Sequence, residues 1–468
     1  MKAPRIAVVA GYMPFFDEIM PKGYAQEREA RGRDLGRAVT PEGCESVYLG
    51  LVRDHASGAA AGKALATGGF DCVLVVPTMA TPAGYLWETL GPNPQIPVIL
   101  YAAHETATID AGFDMPTLCR NSATVGALMI GNLLARAGRP FRVVVGHGED
   151  ATTTADVAAE LRAAAVAGAI RRARLGIFGR PLDGYDNVAV DAATLARAIG
   201  VTTIDVPLEE WNATHAALGE EDVARERAFV TGLAELDDRG RPQEAEAALR
   251  LSGALQRAIA RHDLSAGAIN CRGAFGVGRG EHPSLGCLAI SAATARGVPF
   301  TCTADAITAI AMLIGRRLSG GALYCELDAI DEARDAFLCA NTGEGDLGWR
   351  GCHSRVFVSG ADSGRYAPGC SVRQVLPQGP ATAIGFSPNA AAKGGFTLIA
   401  MEGETLDEPQ VALSVTSVWF RATRRPMRAA MQDWIAAGAT HHCSLSRGHL
   451  AASLAIVAEH LGIGFRNI

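Results

Sequence analysis

The stretch DCVLVVP, residues 71–77, decides the fold class. Its apolar residues run without polar alternation, and the same is true of IPVILYAA, residues 96–103, and of RIAVVA, residues 5–10. Strands of this kind are typical of parallel sheets that helices cover on both faces. Because helix-like segments such as HASGAAAGKALATGG separate the runs, the sequence predicts an α/β fold with a doubly wound parallel sheet.

The remainder of the chain predicts a second α/β domain and then a different architecture. The amphipathic segment DVAAELRAAAVAGAIRRA precedes further strand-like runs that end on polar residues, including AGAINCRG and PFTCTAD. From about residue 320 glycine and proline become frequent, and short runs such as GFTLIAME indicate β-structure. We therefore expect two α/β domains, residues 1–150 and 151–318, followed by a β-rich domain, residues 319–468, with a histidine-containing terminal segment.

Composition limits the partners of the protein. The formal charge of −6 gives no support for nucleic-acid binding. The 11 cysteines include no CxxC pair, which favours reduced thiols in a cytoplasmic protein. No apolar run reaches the roughly 18 residues that a membrane helix needs. We expect neither a membrane nor a nucleic acid as a partner.

Two acidic residues and a histidine pair are the candidates for chemistry. Asp305 closes PFTCTAD and starts a helix, Glu326 ends the apolar run LYCE, and His441 and His442 lie in THHCSLSRGHL, residues 440–450. Carboxylates with imidazole suit Mn²⁺, Mg²⁺ or Fe²⁺. Plainer interpretations compete with this one: Asp is a favoured helix cap, and histidines are often hydrogen-bonded without taking part in chemistry. Asp328, in the acidic run that follows Glu326, fits a solvated turn.

Further polar residues at predicted strand ends and in loops are candidate substrate contacts. Arginine pairs with carboxylate or phosphate, so the arginines among them favour an anionic group on the substrate, although a surface ion pair is the competing interpretation for each. The candidates are Arg180, Asn270, Arg272, Asn341, Glu344, His441 and Arg447.

The order of several segments resembles the L-fucose isomerase and L-arabinose isomerase superfamily. The resemblance is diffuse and runs along nearly the whole chain, through SLGCLAISAATARGVPFTCTAD, LYCELDAIDEARDAFLCANTGEGD and the terminal HHCSLSRGH. It implies two α/β domains before a β-rich one, a trimer or hexamer, and an active site between domains that a neighbouring subunit completes. It also implies a divalent ion, first of all Mn²⁺ with Mg²⁺, Fe²⁺ or Co²⁺ as alternatives. Glu326 and His442 match two of the expected ligands.

One position departs from the family pattern. Family members tend to have Cys-Glu-Gly-Asp where this chain has Cys302-Thr303-Ala304-Asp305. Asp305 is therefore expected to act as a metal ligand, and together with Glu326 as a catalytic acid or base. The resemblance implies an intramolecular oxidoreductase of carbohydrate metabolism that interconverts an aldose and a ketose through an enediol or enediolate.

Two other functions stay open because of this departure. The scaffold could support a metal-dependent lyase, retro-aldol or hydrolytic reaction on a sugar acid or polyol-like substrate. Alternatively, the chain is a sugar-binding relative without turnover.

Overall fold

The computed structural model describes residues 3–271, 284–349, 351–359, 369–407 and 411–468. The chain forms two compact units, of which the first ends at Ala169 and also includes Glu459–Gly462. The second unit consists of Ile170–Ala458 and Ile463–Ile468.

The first unit is built on a parallel sheet with strand order β2-β1-β3-β4-β5. Alternate residues of DCVLVVP enter different cores: Cys72 and Leu74 pack on one face of the sheet, and Val73 and Val75 pack on the other. The predicted double burial and doubly wound sheet are thus confirmed. The strands are β1 (Arg5–Gly11), β2 (Glu45–Val52), β3 (Cys72–Pro77), β4 (Val98–His104) and β5 (Arg142–His147). The helices are α1 (Tyr24–Ala38), α2 (His55–Thr67), α3 (Ala83–Leu90), α4 (Met115–Arg120), α5 (Ala123–Arg136) and α6 (Ala151–Arg171).

Helix α6 extends this unit beyond the expected boundary at residue 150. Val157 and Leu161 are fully buried in the same core as Cys72. Gly168 lies so close to the sheet that a Cβ built on it would be 1.8 Å from the carbonyl oxygen of Asp71. The amphipathic segment therefore covers the first sheet, and the first unit extends to Ala169.

The second unit contains a second parallel sheet, with strand order β10-β9-β6-β7. Its core is mostly aliphatic and includes three aromatic residues, with Phe178 in contact with both Trp211 and Phe300. The strands of this part are β6 (Arg174–Phe178), β7 (Thr202–Asp205), β8 (Glu235–Asp237), β9 (Ala266–Ile269) and β10 (Phe300–Thr301). The helices are α7 (Ala192–Ile199), α8 (Leu208–Ala216), α9 (Glu220–Thr231), α10 (Pro242–His262), α11 (Cys287–Ala295) and α12 (Ala306–Ser319).

A β-barrel completes the second unit and confirms the predicted β-rich end of the chain. Six strands follow the order β15-β18-β11-β12-β17-β16, and pairing of β15 with β16 closes the ring. β19 adds to β16 in parallel, and β14-β13-β8 form a separate small sheet. The strands are β11 (Ala322–Asp331), β12 (Ala336–Ala340), β13 (His353–Ser359), β14 (Gly369–Val375), β15 (Gly379–Pro388), β16 (Phe396–Thr405), β17 (Ser417–Ala422), β18 (His442–Arg447) and β19 (Gly464–Asn467). The helices are α13 (Met427–Ala436) and α14 (Ala451–Leu461).

Residues on both sides of the expected boundary at 318 belong to this one compact unit. Helix α12 crosses the boundary and packs closely on the barrel, where a Cβ on Gly315 would be 2.1 Å from Ser446 Oγ. Within the described ranges, no helix combines the length and the apolar character that a bilayer crossing requires.

Candidate metal centre

Two neighbouring barrel strands bring Glu326 and His442 together. β11 and β18 are antiparallel, and their register places Glu326 directly opposite His442. Side chains at such positions lie on one face of the sheet, within reach of each other. His442 Nε2 lies 3.1 Å from Glu326 Oε1. A pairing between residues 116 positions apart in sequence is thus set by strand register.

Asp305 contacts the other nitrogen of the same imidazole. It caps α12, since its Oδ1 accepts a hydrogen bond from Thr308 N at 2.9 Å. Its Oδ2 lies 2.8 Å from His442 Nδ1. An ionised carboxylate can only accept, so Nδ1 carries the proton and donates it to Asp305. With Nδ1 engaged by Asp305, Nε2 is the nitrogen that faces Glu326, and loss of its proton would free a lone pair for a metal ion, as in carboxylate–histidine–metal sites.

His441 supplies a second imidazole at the surface. The rings of His441 and His442 are 3.8 Å apart, and Tyr185 packs edge-on against His441 at 5.3 Å. Asn187 Nδ2 lies 2.8 Å from His441 Nδ1. Ligand atoms of Glu326, His441 and His442 all lie within 4.8 Å of one another. One carboxylate and two imidazoles form a donor set that suits Mn²⁺, Fe²⁺ or Co²⁺, so the residues fit a divalent ion.

The charges of this group favour a cation. Burial by itself would lower the pKa of His442, but the hydrogen bonds to Asp305 and Glu326 outweigh it and raise the pKa to about 9. The hydrogen bond to His442 holds the pKa of Glu326 below its ordinary value. Burial, followed by the nearby His442, lowers the pKa of His441. In the metal-free protein, Nε2 of His442 therefore carries a proton where a divalent ion would bind.

Asp328 lies two positions after Glu326, at an irregularity in β11. The pairing of β11 with β12 shifts register between Leu327 and Ala329, so Asp328 is the extra residue of a β-bulge. The carboxyl groups of Asp328 and Glu326 are close enough to affect each other's pKa. Desolvation, followed by the charge of Glu326, raises the pKa of the exposed Asp328 to about 6. The sequence indicated a solvated turn for Asp328; the residue is indeed exposed, but it lies in strand β11 and not in a turn.

Tyr324 is a second residue that the sequence did not single out. It lies two positions before Glu326, so it shares the same face of β11. Its ring is buried 4.6 Å from the ring of His442, and its hydroxyl donates to Cys302 O at 3.4 Å. The period-two pattern of a strand that ends on Glu326 is the signal that could have identified Tyr324. Desolvation raises its pKa well above the ordinary value, which keeps the phenol neutral.

The turn before Asp305 has an unusual backbone conformation. Thr303 and Ala304 both have positive φ, at 55° and 57°. Such a conformation is rare for a residue with a Cβ and most unfavourable for a β-branched one. Thr303 Oγ1 donates to Cys302 O at 2.8 Å and offers no carboxylate where the resembling family has one.

Four of the remaining predicted substrate contacts lie within the described residues, and the structure gives their burial and local contacts. Glu344 is buried, and Asn341 Oδ1 accepts from Thr342 N at 2.6 Å. Arg180 is exposed, while buried Asn270 donates from Nδ2 to the Arg180 carbonyl at 2.7 Å.

The structure does not bring Arg447, another predicted arginine, to the centre. Arg447 is at the opposite end of β18 from His442, about 16 Å away at the ordinary rise of a strand. The strand separates these two residues of the terminal segment although they are near in sequence. Arg272 lies outside the described residues.

A comparison with known families adds independent information. Residues 354–464 match the family model for the L-arabinose isomerase C-terminal domain. The matched range includes His441 and His442, whereas Asp305 and Glu326 precede it. No curated protein matches the chain. The family match supports a relation to sugar isomerases, and it does not separate the arabinose branch from the fucose branch.

Proposed function

We propose that the protein is a divalent-metal-dependent enzyme that interconverts an aldose and a ketose through an enediolate. The group formed by Glu326, His441 and His442, with Asp305 behind His442, is the observation that carries this proposal. Its two imidazoles favour Mn²⁺, Fe²⁺ or Co²⁺ over Mg²⁺, which prefers an all-oxygen shell. When bound, such an ion polarises the oxygens on C1 and C2 of an open-chain sugar and stabilises negative charge on them.

Asp305 is assigned here as a positioning residue for His442. Both of its oxygens are engaged, one by Thr308 N and one by His442 Nδ1. The hydrogen bond to His442 fixes the tautomer in which Nε2 is a metal-binding lone pair. A role as direct ligand, which the resemblance implies, would require Asp305 to release His442.

Proton transfer between C1 and C2 needs a group that can both accept and return a proton. Glu326 and Asp328 are two positions apart on β11, and the pKa of Glu326 is lowered while that of Asp328 is raised, so one carboxyl can hold the proton while the other stays ionised. We assign Asp328 to the proton transfer, in the place of the acid that Thr303 does not provide. The buried phenol of Tyr324 lies beside His442 and closes one side of the centre to water.

The family resemblance further supports a homo-oligomer, a trimer or hexamer, working in the cytoplasm. Analytical ultracentrifugation of the purified chain tests the assembly. Sedimentation as a monomer at micromolar concentration would show that no neighbouring subunit contributes to the proposed active site.

The test of the reaction is deuterium incorporation from D₂O. Purified protein loaded with Mn²⁺ is incubated with a panel of pentoses and 6-deoxyhexoses, and products are identified by mass spectrometry and NMR. Isomerisation predicts deuterium at C2 of the aldose or C1 of the ketose with the carbon number unchanged. Products with fewer carbons would replace the proposal with a lyase reaction, and binding without exchange would replace it with a sugar-binding protein.

A further inference from the structure

A second polar pocket lies on the small sheet β14-β13-β8. One face of this sheet is apolar, and Val356 and Val372 are fully buried in a core with Leu288. Side chains alternate along a strand, so Arg355 and Phe357 of β13 and Arg373 of β14 point to the other face. That face borders a surface pocket of about 580 Å³, within the size range of small-molecule sites.

Two arginines on this face are direct cross-strand partners. The antiparallel register of β13 and β14 pairs Arg355 with Arg373. Like charges directly opposite each other destabilise a sheet. Such a pair is favourable only if negative charge lies between or beside the two guanidinium groups.

The protein supplies part of that negative charge, beside Arg355 and not beside Arg373. Asp237 pairs with Arg355 and also with Arg239, at 2.9 Å. These two hydrogen bonds, first the one from Arg239, hold the pKa of Asp237 well below its ordinary value. Arg373 donates to the neutral carbonyl of Val411 at 3.4 Å, and no carboxylate of the described residues is within ion-pair distance of it.

The lining of the pocket as a whole is cationic. Four arginines, Arg239, Arg241, Arg355 and Arg373, face the pocket together with one carboxylate, Asp237. Phe357 and Leu413 add an apolar wall. Guanidinium groups bind phosphate oxygens through two parallel hydrogen bonds, and several of them converging favour an anion with more than one negative charge.

We propose that this pocket binds a small polyanion of the phosphate-ester or polyphosphate class, held between Arg355 and Arg373. The pocket shares no residue with the group of Glu326, His441 and His442. Binding here therefore does not depend on the proposed isomerase reaction.

Isothermal titration of the purified protein with inorganic pyrophosphate tests the proposal. We expect one pyrophosphate per chain, with affinity that falls as salt rises from about 0.05 to about 0.3 M because the charges are partly exposed. Arg373→Gln weakens binding at least roughly tenfold, the effect of one charge-assisted hydrogen bond. Asp237→Asn strengthens binding several-fold, since it removes a negative charge, releases Arg239 and leaves Arg355 with only the more distant Glu235, at 3.7 Å.

The controls separate this site from general surface charge and from the metal centre. Arg428→Gln removes an exposed arginine of α13 and leaves the pyrophosphate affinity unchanged. Glu326→Gln likewise leaves it unchanged. Absence of binding, equal losses in Arg373→Gln and Arg428→Gln, or weaker binding in Asp237→Asn would each overturn the proposal. Circular dichroism confirms that each variant is folded.

Discussion

Replacing Asp305 with Asn tests how the metal centre is organised. Asn keeps an oxygen for the helix cap, and Asn and Asp cap helices about equally well. The amide nitrogen that replaces Oδ2 is a donor, so His442 Nδ1 must accept and the ring proton moves to Nε2. The Asp305→Asn substitution therefore removes the lone pair that faces Glu326, while the fold of α12 is retained.

Asp305→Asn should lower both the affinity for the metal and the stability of the metal-free protein. Loss of a carboxylate that orients a ligating histidine weakens metal binding about 10- to 100-fold, or roughly 1.4–2.7 kcal/mol. In the metal-free protein, the pKa of His442 is about 9 against an ordinary value of 6.5, a difference worth about 3 kcal/mol. Asp305 and Glu326 share this stabilisation, so Asp305→Asn loses roughly 1–2 kcal/mol of it.

The raised pKa of His442 determines how the stability of the metal-free protein changes with pH. A pKa that is raised by folding stabilises the folded state below pH 6.5, and the stabilisation is lost as pH rises through about 9. Urea unfolding of metal-free protein should therefore show Asp305→Asn less stable than wild type at pH 6 and nearly equal to it at pH 9.5. Calorimetric titration with Mn²⁺ at pH 7.5 measures the loss of affinity.

A matched substitution controls for the helix cap. Asp191 caps α7 by accepting from Thr194 N at 2.9 Å, and it is exposed. Asp191→Asn should change neither Mn²⁺ affinity nor the pH dependence of stability. Wild-type Mn²⁺ affinity in Asp305→Asn would refute the positioning role, whereas a loss beyond a thousandfold would indicate that Asp305 is itself a ligand.

Further substitutions test other parts of the account. Glu326→Gln and His442→Gln should each abolish stoichiometric metal in elemental analysis together with isomerase activity, whereas His55→Gln, at an exposed histidine of α2, should change neither. Asp328→Asn should bind Mn²⁺ within a few-fold of wild type but lose deuterium exchange by at least about 100-fold, the contribution of a proton-transfer group. Gly168→Ala should destabilise the protein by more than about 2 kcal/mol in urea unfolding because the methyl group would meet the Asp71 carbonyl, whereas Gly84→Ala in α3 should stabilise it by roughly 0.5–1 kcal/mol.

The architecture was predictable because burial on both faces is visible in the residues themselves. Runs such as DCVLVVP have no polar face, so a parallel sheet between two layers of helices is the structure that buries them. The first boundary was harder to place. DVAAELRAAAVAGAIRRA is amphipathic, and amphipathicity indicates that a helix packs on a sheet without indicating which sheet it covers.

The centre was predictable in its residues and not in its geometry. The sequence left open whether Asp305 caps a helix or takes part in chemistry. In the structure Asp305 caps α12 and also contacts His442. The pairing of Glu326 with His442 depends on long-range strand register, which a single sequence does not show. We expected Arg447 at the centre because it is close to His442 in sequence. In an extended strand, however, residues five positions apart lie at opposite ends.

Anomalous diffraction from a crystal of the protein grown with Mn²⁺ tests the central claim most directly. The account predicts one strong anomalous peak per chain within ligand distance, about 2.0–2.3 Å, of a Glu326 carboxylate oxygen and His442 Nε2. His441 should complete the protein ligands, and Asp305 should remain hydrogen-bonded to His442 Nδ1. A peak on Asp305 without His441, or no peak between β11 and β18, would contradict the account.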